Sequence, residues 1–135
     1  MNALHTAIYN LYKATPHNDF YNAVNGLYLY KAPQGKEYPY CVYFSPTDTN
    51  DLDFTDEREN FLIQFNIFSQ SDSSDEAGDI LGYLKNVYDN CSLSVSGWNP
   101  LKFQRDFVIP FNDLEQNPPI YGYSVQYTCL LEKAR

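Results

Sequence analysis

The stretch FLIQFNIFSQSDSSDEAGDILGYLKNVYDNC, residues Phe61–Cys91, decides the fold because the spacing of its apolar residues changes within it. In the first part every second residue is large and apolar: Phe61, Ile63, Phe65 and Ile67. This alternation predicts a β-strand, and the half-polar residues between them favour a central position in a sheet.

The second part of the stretch has the spacing of a helix with one apolar stripe. The stripe consists of Ala77, Ile80, Leu81, Leu84, Val87, Tyr88 and Cys91. Ser73 and Glu76 are spaced as a capping box, which predicts where this helix begins. A long strand followed directly by an amphipathic helix is therefore the centre of the fold.

Towards the N-terminus the sequence predicts one more helix and two short strands. Apolar residues at helical spacing run from Leu4 to Tyr12, and Thr15-Pro16 ends that helix. A short helical turn follows from Asp19, as its cap, to Gly26. Strands are predicted at Leu27–Lys31 and Tyr40–Phe44. The polar segment Thr47–Asp56 is either a loop or an extended hairpin tip.

Beyond the central helix, two strands follow the turn Gly97-Trp98-Asn99-Pro100. Phe103, Phe107 and Ile109 are expected on one face of a strand that stops at Pro110. In the last strand the residues of one face are mainly apolar or aromatic: Tyr121, Tyr123, Val125, Tyr127, Cys129 and Leu131. Only one helix connects strands, which does not favour a doubly wound sheet. We therefore expect one α+β domain over residues 1–135, with a mostly antiparallel sheet of about five strands and two main helices on one face.

Composition restricts the possible partners. The chain is 44% hydrophobic, which favours a globular fold, and carries a net charge of -8. Such a charge repels phosphate backbones and anionic membranes, so we expect neither sequence-specific nucleic-acid binding nor a membrane partner. No apolar stretch approaches the length of a membrane span or a signal peptide. Three cysteines without metal-ligand spacing are typical of a reducing compartment.

Six carboxylates lie within twelve positions, with Arg58 as the one basic residue among them. They are Asp48, Asp51, Asp53, Asp56, Glu57 and Glu59. A calcium loop starting at Asp48 would have Leu52 and Asp53 where a ligand and a glycine are required, which disfavours an EF-hand. A solvated acidic segment is the better interpretation.

No catalytic, cofactor or metal site is predicted, and we do not expect an enzyme. His5 and His17 lack partners at zinc-ligand spacing, and the three cysteines fall on strands or at a helix end. Gly78 and Gly82, one helical turn apart, are expected to pack closely on the sheet, although they could also admit another backbone.

Several side chains are candidates for contacts between subunits. Arg105 interrupts an apolar strand face and needs a carboxylate, either within the chain or on a neighbour. Trp98 is either a lid on the core or an interface anchor. The chain has 13 tyrosines, and we expect Tyr121, Tyr123 and Tyr127 on an exposed sheet face that packs against other subunits.

Three segments together give the chain a resemblance to a known family. They are Tyr30–Pro33 with Tyr38–Tyr43, then Phe65–Ser71 with the helix Asp75–Asp89, and the aromatic strand Tyr121–Tyr127. In order and spacing the chain resembles the phage tail-completion family, which is related in role to tail-terminator ring proteins. The resemblance extends over nearly all 135 residues.

The resemblance implies a virion protein that assembles in the host cytoplasm. It implies a homo-oligomeric ring, commonly a hexamer, that caps the tail tube and joins it to the head connector, with the tube and connector proteins as partners. It implies no catalytic residue. An acidic ring lumen would let DNA slide by like-charge repulsion, and the acidic segment is the candidate for that surface. A head–tail connector, a minor capsid subunit, a monomeric adaptor and a small ligand-binding α+β domain remain alternatives.

Overall fold

The computed structural model describes residues 2–14, 16, 18–52 and 57–134; for residues 2, 47–52 and 57 it describes the backbone alone. These residues form three helices and five strands. In chain order they are α1 Asn2–Tyr12, α2 Asp19–Ala23, β1 Leu27–Leu29, β2 Tyr40–Leu52, β3 Glu57–Gln70, α3 Asp75–Tyr88, β4 Trp98–Asp113 and β5 Ile120–Lys133.

The five strands form one sheet in the order β1-β2-β3-β5-β4. Strand β1 is parallel to β2, and every other neighbouring pair is antiparallel. The mostly antiparallel α+β fold predicted from the sequence is therefore confirmed. Strands β2 and β3 pair from Tyr40 opposite Phe68 to Leu52 opposite Glu57. The described part of the acidic segment, residues 47–52 and 57–59, thus lies on the paired strands of an extended hairpin; residues 53–56 lie outside the described residues.

The core lies on one face of the sheet, under the helices. Alternate residues of β3 and β5 are fully buried there, and the α3 stripe supplies Ala77, Ile80, Leu84 and Tyr88. Buried tyrosine hydroxyls fix α1 on this core: Tyr88 donates to the carbonyl oxygen of Ile8 at 2.9 Å, and Tyr43 donates to that of His5 at 3.2 Å. Each of these phenols keeps a hydrogen bond while its ring is removed from water.

Both predicted helix caps are wrong in detail. Helix α3 has Ser74 as its N-cap residue, and Glu76 accepts a 2.6 Å hydrogen bond from the hydroxyl of Ser69 on β3. The Glu76 carboxylate, which a capping box would use at the start of the helix, is thus hydrogen-bonded to strand β3 instead. The short helix α2 is capped by Asn18, not Asp19, because the Asn18 side chain accepts from the backbone N–H of Tyr21 at 2.7 Å. Thr15, expected in the segment that ends α1, lies outside the described residues.

Strand β4 differs from its prediction in both face and length. Its pairing with β5 shifts between Arg105 and Phe107, which marks a β-bulge at Asp106. The extra residue exchanges the two faces, so Phe103 is buried whereas Phe107 and Ile109 are exposed. The strand also continues past Pro110 to Asp113. Proline is tolerated there because β4 is an edge strand of the sheet.

None of the helices in the described ranges is long and apolar enough to cross a membrane.

Candidate interface

The sheet face opposite the core, called here the second face, is the candidate functional surface. Its residues alternate along β3 with the fully buried ones and are half-buried. A row of aromatic rings crosses it from β2 to β4. Ring centroids are 5.2 Å apart for Tyr38 and Tyr40, 5.2 Å for Tyr40 and Phe68, and 5.4 Å for Phe68 and Phe111. The second face is therefore largely aromatic at the end of the sheet where β2 begins.

A glycine makes the last contact of this aromatic row possible. Gly122 pairs with Phe68 on one side and with Phe111 on the other, so it lies between their two strands. A β-carbon at Gly122 would collide with the Phe111 ring and with the carbonyl oxygen of Ile67. The missing side chain leaves space in which the two rings meet across β5.

The middle of the second face is polar. Asn66 accepts hydrogen bonds from Gln64 at 3.0 Å and from the Ser124 hydroxyl at 2.8 Å. Farther along, Thr128 donates to the carboxylate of Asp106 at 2.6 Å. These bonds satisfy polar groups that lie between apolar ones, a composition found in protein–protein interfaces.

A groove of about 480 Å³ lies between the β1–β2 loop and the aromatic end of the second face. Loop residues 30–36 form one wall, and Tyr38, Tyr40 and Phe68 are among the residues of the other. Lys31 and Lys36 line the groove, and the ammonium group of Lys36 lies 5.6 Å from the centroid of the Tyr28 ring. The groove thus combines an aromatic wall with two cationic groups.

Exposed apolar side chains cluster on β4 and on the β4–β5 turn, the other edge of the sheet. The exposed fractions are 46% for Leu101, 42% for Phe107, 53% for Ile109 and 63% for Leu114. Exposure of several large apolar groups on one edge is typical of a surface that meets another protein.

Arg105 has its carboxylate within the chain. Its guanidinium lies 3.6 Å from the Asp89 carboxylate, which also accepts a 2.6 Å hydrogen bond from the Tyr127 hydroxyl. Of the two alternatives predicted for Arg105, the structure has the internal ion pair. Trp98 is half-buried and packs against the core, and its role as an interface anchor stays a prediction.

The three tyrosines predicted on an exposed face of β5 are on the core side of the sheet. Tyr127 is completely buried, so its prediction as a surface residue is wrong. The Asp89 hydrogen bond and burial together raise the pKa of Tyr127, with burial as the larger cause. Tyr123 is partly buried against the core and Tyr121 is half-buried, and their interface role stays a prediction.

The acidic hairpin lies at the end of the sheet opposite the groove. Asp48 and Asp51 are on β2, Glu57 and Glu59 are on β3, and Asp53 and Asp56 lie outside the described residues. The Arg58 side chain on β3 is 3.4 Å from the carboxylate of Glu132 on β5, which joins the two strands at the end of their pairing. Its function as a lumen surface stays a prediction.

Gly78 and Gly82 do not pack on the sheet. A β-carbon added to either would meet no atom within 4 Å, so the prediction of close packing is wrong. Both glycines lie on the side of α3 away from the core, which leaves the other interpretation, the approach of a second backbone, as a prediction.

Neither a cluster of metal ligands nor an activated thiol is found among the described residues. No group of three histidine, cysteine, aspartate or glutamate side chains within them could hold a metal ion. Burial raises the pKa of the thiols of Cys91 and Cys129 to about 12, and it raises that of Cys41 as well. These thiols therefore lack the thiolate character that a nucleophile requires.

The groove residues and Leu114 were not among the sites found from the sequence. One signal was present: residues 30–36 contain two lysines and no acid, although the chain as a whole is strongly acidic. The exposure of Phe107 and Ile109 had no local signal because it results from the bulge.

Comparison with known proteins shows the fold alone. No family profile matches the sequence, and no curated protein sequence matches it. Among solved structures, the chain is similar to a chain of the structure titled "Virion of native gene transfer agent (GTA) particle". The two are 12% identical with a TM-score of 0.83, and the match covers 97% of this chain and 96% of that chain.

Proposed function

We propose that this protein is a structural subunit of a phage-like virion. The observation that carries the proposal is the match to a chain of a gene transfer agent virion, because it covers 97% of one chain and 96% of the other. A structural match over almost the full length of both chains supports the same kind of role for both. The aromatic second face and the exposed apolar edge of β4 supply the contact surfaces that such a subunit needs.

Within the virion, we assign the chain to tail completion: a ring that caps the tail tube and joins it to the head connector. The three segments that resemble the tail-completion family in order and spacing support this role. The acidic hairpin also favours it, since a passage for DNA should repel phosphate instead of binding it.

Deletion of the gene from a genome that produces the particles tests the role. We expect filled heads and free tails that do not join, and normal particles when the gene is supplied again. Empty or leaking heads without a tail defect would indicate a connector, and malformed heads a capsid subunit. Absence of the protein from purified particles by mass spectrometry would refute the proposal altogether.

A charge experiment tests the acidic hairpin. The triple variant Asp48→Asn, Asp51→Asn, Asp53→Asn should keep the unfolding midpoint of the wild type, because the sequence predicts a solvated acidic segment and solvated charges contribute little to stability. It should lower the yield of DNA-transferring particles. Its matched control removes three exposed carboxylates elsewhere: Asp19→Asn, Asp72→Asn, Asp79→Asn. Equal particle yields from both variants would exclude a lumen function for the hairpin.

A further inference from the structure

We propose that neighbouring copies of this chain join by docking the β4–β5 turn of one copy into the groove of the next. Leu114 is the apolar anchor, and Asp113 and Glu115 face Lys31 and Lys36 of the other copy. The inference rests on the proposed function, which supplies a second copy as the partner, and it names the two surfaces that meet.

The β4–β5 turn has an exposed apolar side chain and is held by hydrogen bonds at both ends. Leu114 is 63% exposed, so most of its side chain is open to solvent. The Asp113 carboxylate accepts a 3.1 Å hydrogen bond from the backbone N–H of Glu115, which orders the start of the turn. At its other end, the carbonyl oxygen of Pro118 accepts from Gln70 at 3.1 Å, and that of Pro119 accepts from the backbone N–H of Ser71 at 3.2 Å. A turn held at both ends loses little conformational entropy on docking.

The charges of the two surfaces are complementary. The loop 30–36 contains two lysines and no acid, whereas residues 113–119 contain two acids and no base. Glu37 follows the loop but does not line the groove. In a chain of net charge -8, this groove is a local basic surface on an acidic molecule. It therefore selects an acidic partner, and the turn of a second copy is one.

The groove also has an apolar surface on which the turn of another copy can pack. Tyr38, Tyr40 and Phe68 form an aromatic wall, and the volume of about 480 Å³ is in the range of sites that enclose a compact group. A leucine side chain packed on these rings would leave water, while the lysines stay at the rim. An apolar centre with a charged rim is the usual organisation of a specific interface.

The strand directions permit the contact to repeat. The groove lies beside β1 and β2, and the turn follows β4, so the two surfaces are on opposite edges of one sheet. They are also at the same end of it, because Tyr40 pairs with Phe68, Phe68 with Gly122, and Gly122 with Phe111. Strand β1 runs antiparallel to β4 within one copy. If neighbouring copies are related by a rotation about an axis parallel to the strands, the β1 edge of one copy lies beside the β4 edge of the next and antiparallel to it.

This contact uses a different surface on each copy. An open chain of docked subunits therefore has a free groove at one end and a free turn at the other. Further subunits add until these two ends meet and the ring closes. Docking of the turn of each copy into the groove of the next thus accounts for a closed ring without a second kind of contact.

Disulfide trapping tests the pairing directly. Two full-length proteins are made in a Cys91→Ser background, one with Gln34→Cys in the groove loop and one with Gln116→Cys in the β4–β5 turn, which keeps the Leu114 anchor. Mixed under mild oxidation at high concentration, they should form a 34–116 linked dimer at least tenfold faster than the control pair Asp19→Cys with Gln116→Cys. The link is identified by mass spectrometry of the joined peptides. The same pair of cysteines on one chain should give a ladder of linked subunits in assembled particles.

Charge reversal provides the second measurement. Lys31→Glu with Lys36→Glu in the groove protein should slow cross-linking at least fivefold, and Asp113→Lys with Glu115→Lys in the turn protein should restore it. No 34–116 link above the control, both in solution and in particles, would overturn the docking. Absence of the protein from particles refutes the virion role instead, so the two failures are distinguishable.

Discussion

The ring of Phe111 lies over the backbone of Gly122, the residue that separates its strand from that of Phe68. The rings of Phe68 and Phe111 consequently meet across β5, with centroids 5.4 Å apart. This contact completes the aromatic row of the second face and packs β4, the edge strand, against the rest of that face. Gly122 is thus a residue whose missing side chain determines a surface.

We predict that Gly122→Ala destabilises the protein by about 1–3 kcal/mol, because the new methyl group forces the Phe111 ring and the Ile67 carbonyl apart. Urea denaturation followed by circular dichroism measures the change. An unchanged midpoint would mean that the ring and backbone move aside without cost, which contradicts the close approach described here.

The opposite result is expected for a glycine on α3. Gly82 is exposed and a β-carbon there meets no atom within 4 Å. Gly82→Ala should therefore stabilise the protein by about 0.5–1 kcal/mol through the helix propensity of alanine. The same denaturation measurement applies, and it serves as the matched control for Gly122→Ala. Destabilisation would show that Gly82 has a backbone requirement that its surroundings do not reveal.

The sequence alone predicts those elements of the fold whose apolar residues recur with a regular spacing. The strand from Phe61 and the helix from Ala77 have clean alternation and a clean stripe, and both are present as predicted. The bulge at Asp106 was not predictable, because it depends on how β4 registers with β5 and has no local pattern. One inserted residue moved Phe107 and Ile109 from the expected core face to the surface.

The candidate interface was less accessible to sequence reasoning than the fold. The alternation along β5 does not show which of its faces is the core, so Tyr127 could be a surface or a core residue. In the structure its hydroxyl has a partner, the Asp89 carboxylate, which is far away in the sequence. The groove combines residues of the β1–β2 loop with others on two strands, a proximity that exists only once the sheet order is known. Local charge indicated the basic loop, but not the aromatic wall that it faces.

The partly buried hydrogen bond of Tyr127 should contribute more to stability than the ion pair beside it. Tyr127→Phe leaves the Asp89 carboxylate without its 2.6 Å hydrogen bond, and we expect a loss of about 1.5 kcal/mol. The Arg105 and Asp89 side chains are 33% and 31% exposed, so Arg105→Lys, which keeps the charge, should cost less than about 1 kcal/mol. Thermal or urea unfolding of both variants gives the order, and the reverse order would mean that the ion pair is the dominant contact.

Two buried tyrosines should make the fold sensitive to alkali. Burial raises the pKa of Tyr12 and of Tyr43 to about 12, whereas the usual value in an unfolded chain is about 10. The unfolded state therefore releases these protons first. The stabilisation is complete below pH 10 and is lost as the pH rises towards 12.

We therefore predict that Tyr43→Phe lowers stability slightly at pH 7, by about 1 kcal/mol, because the hydrogen bond to the His5 carbonyl is lost. Between pH 10 and 12 its stability should then fall less steeply than that of the wild type, since one ionisation is removed. The slopes come from urea denaturation at several pH values, with Tyr30→Phe as the control because Tyr30 is 64% exposed. If Tyr43→Phe and Tyr30→Phe both keep the wild-type slope, ionisation of Tyr43 is not coupled to unfolding, and the alkaline loss must come from other groups.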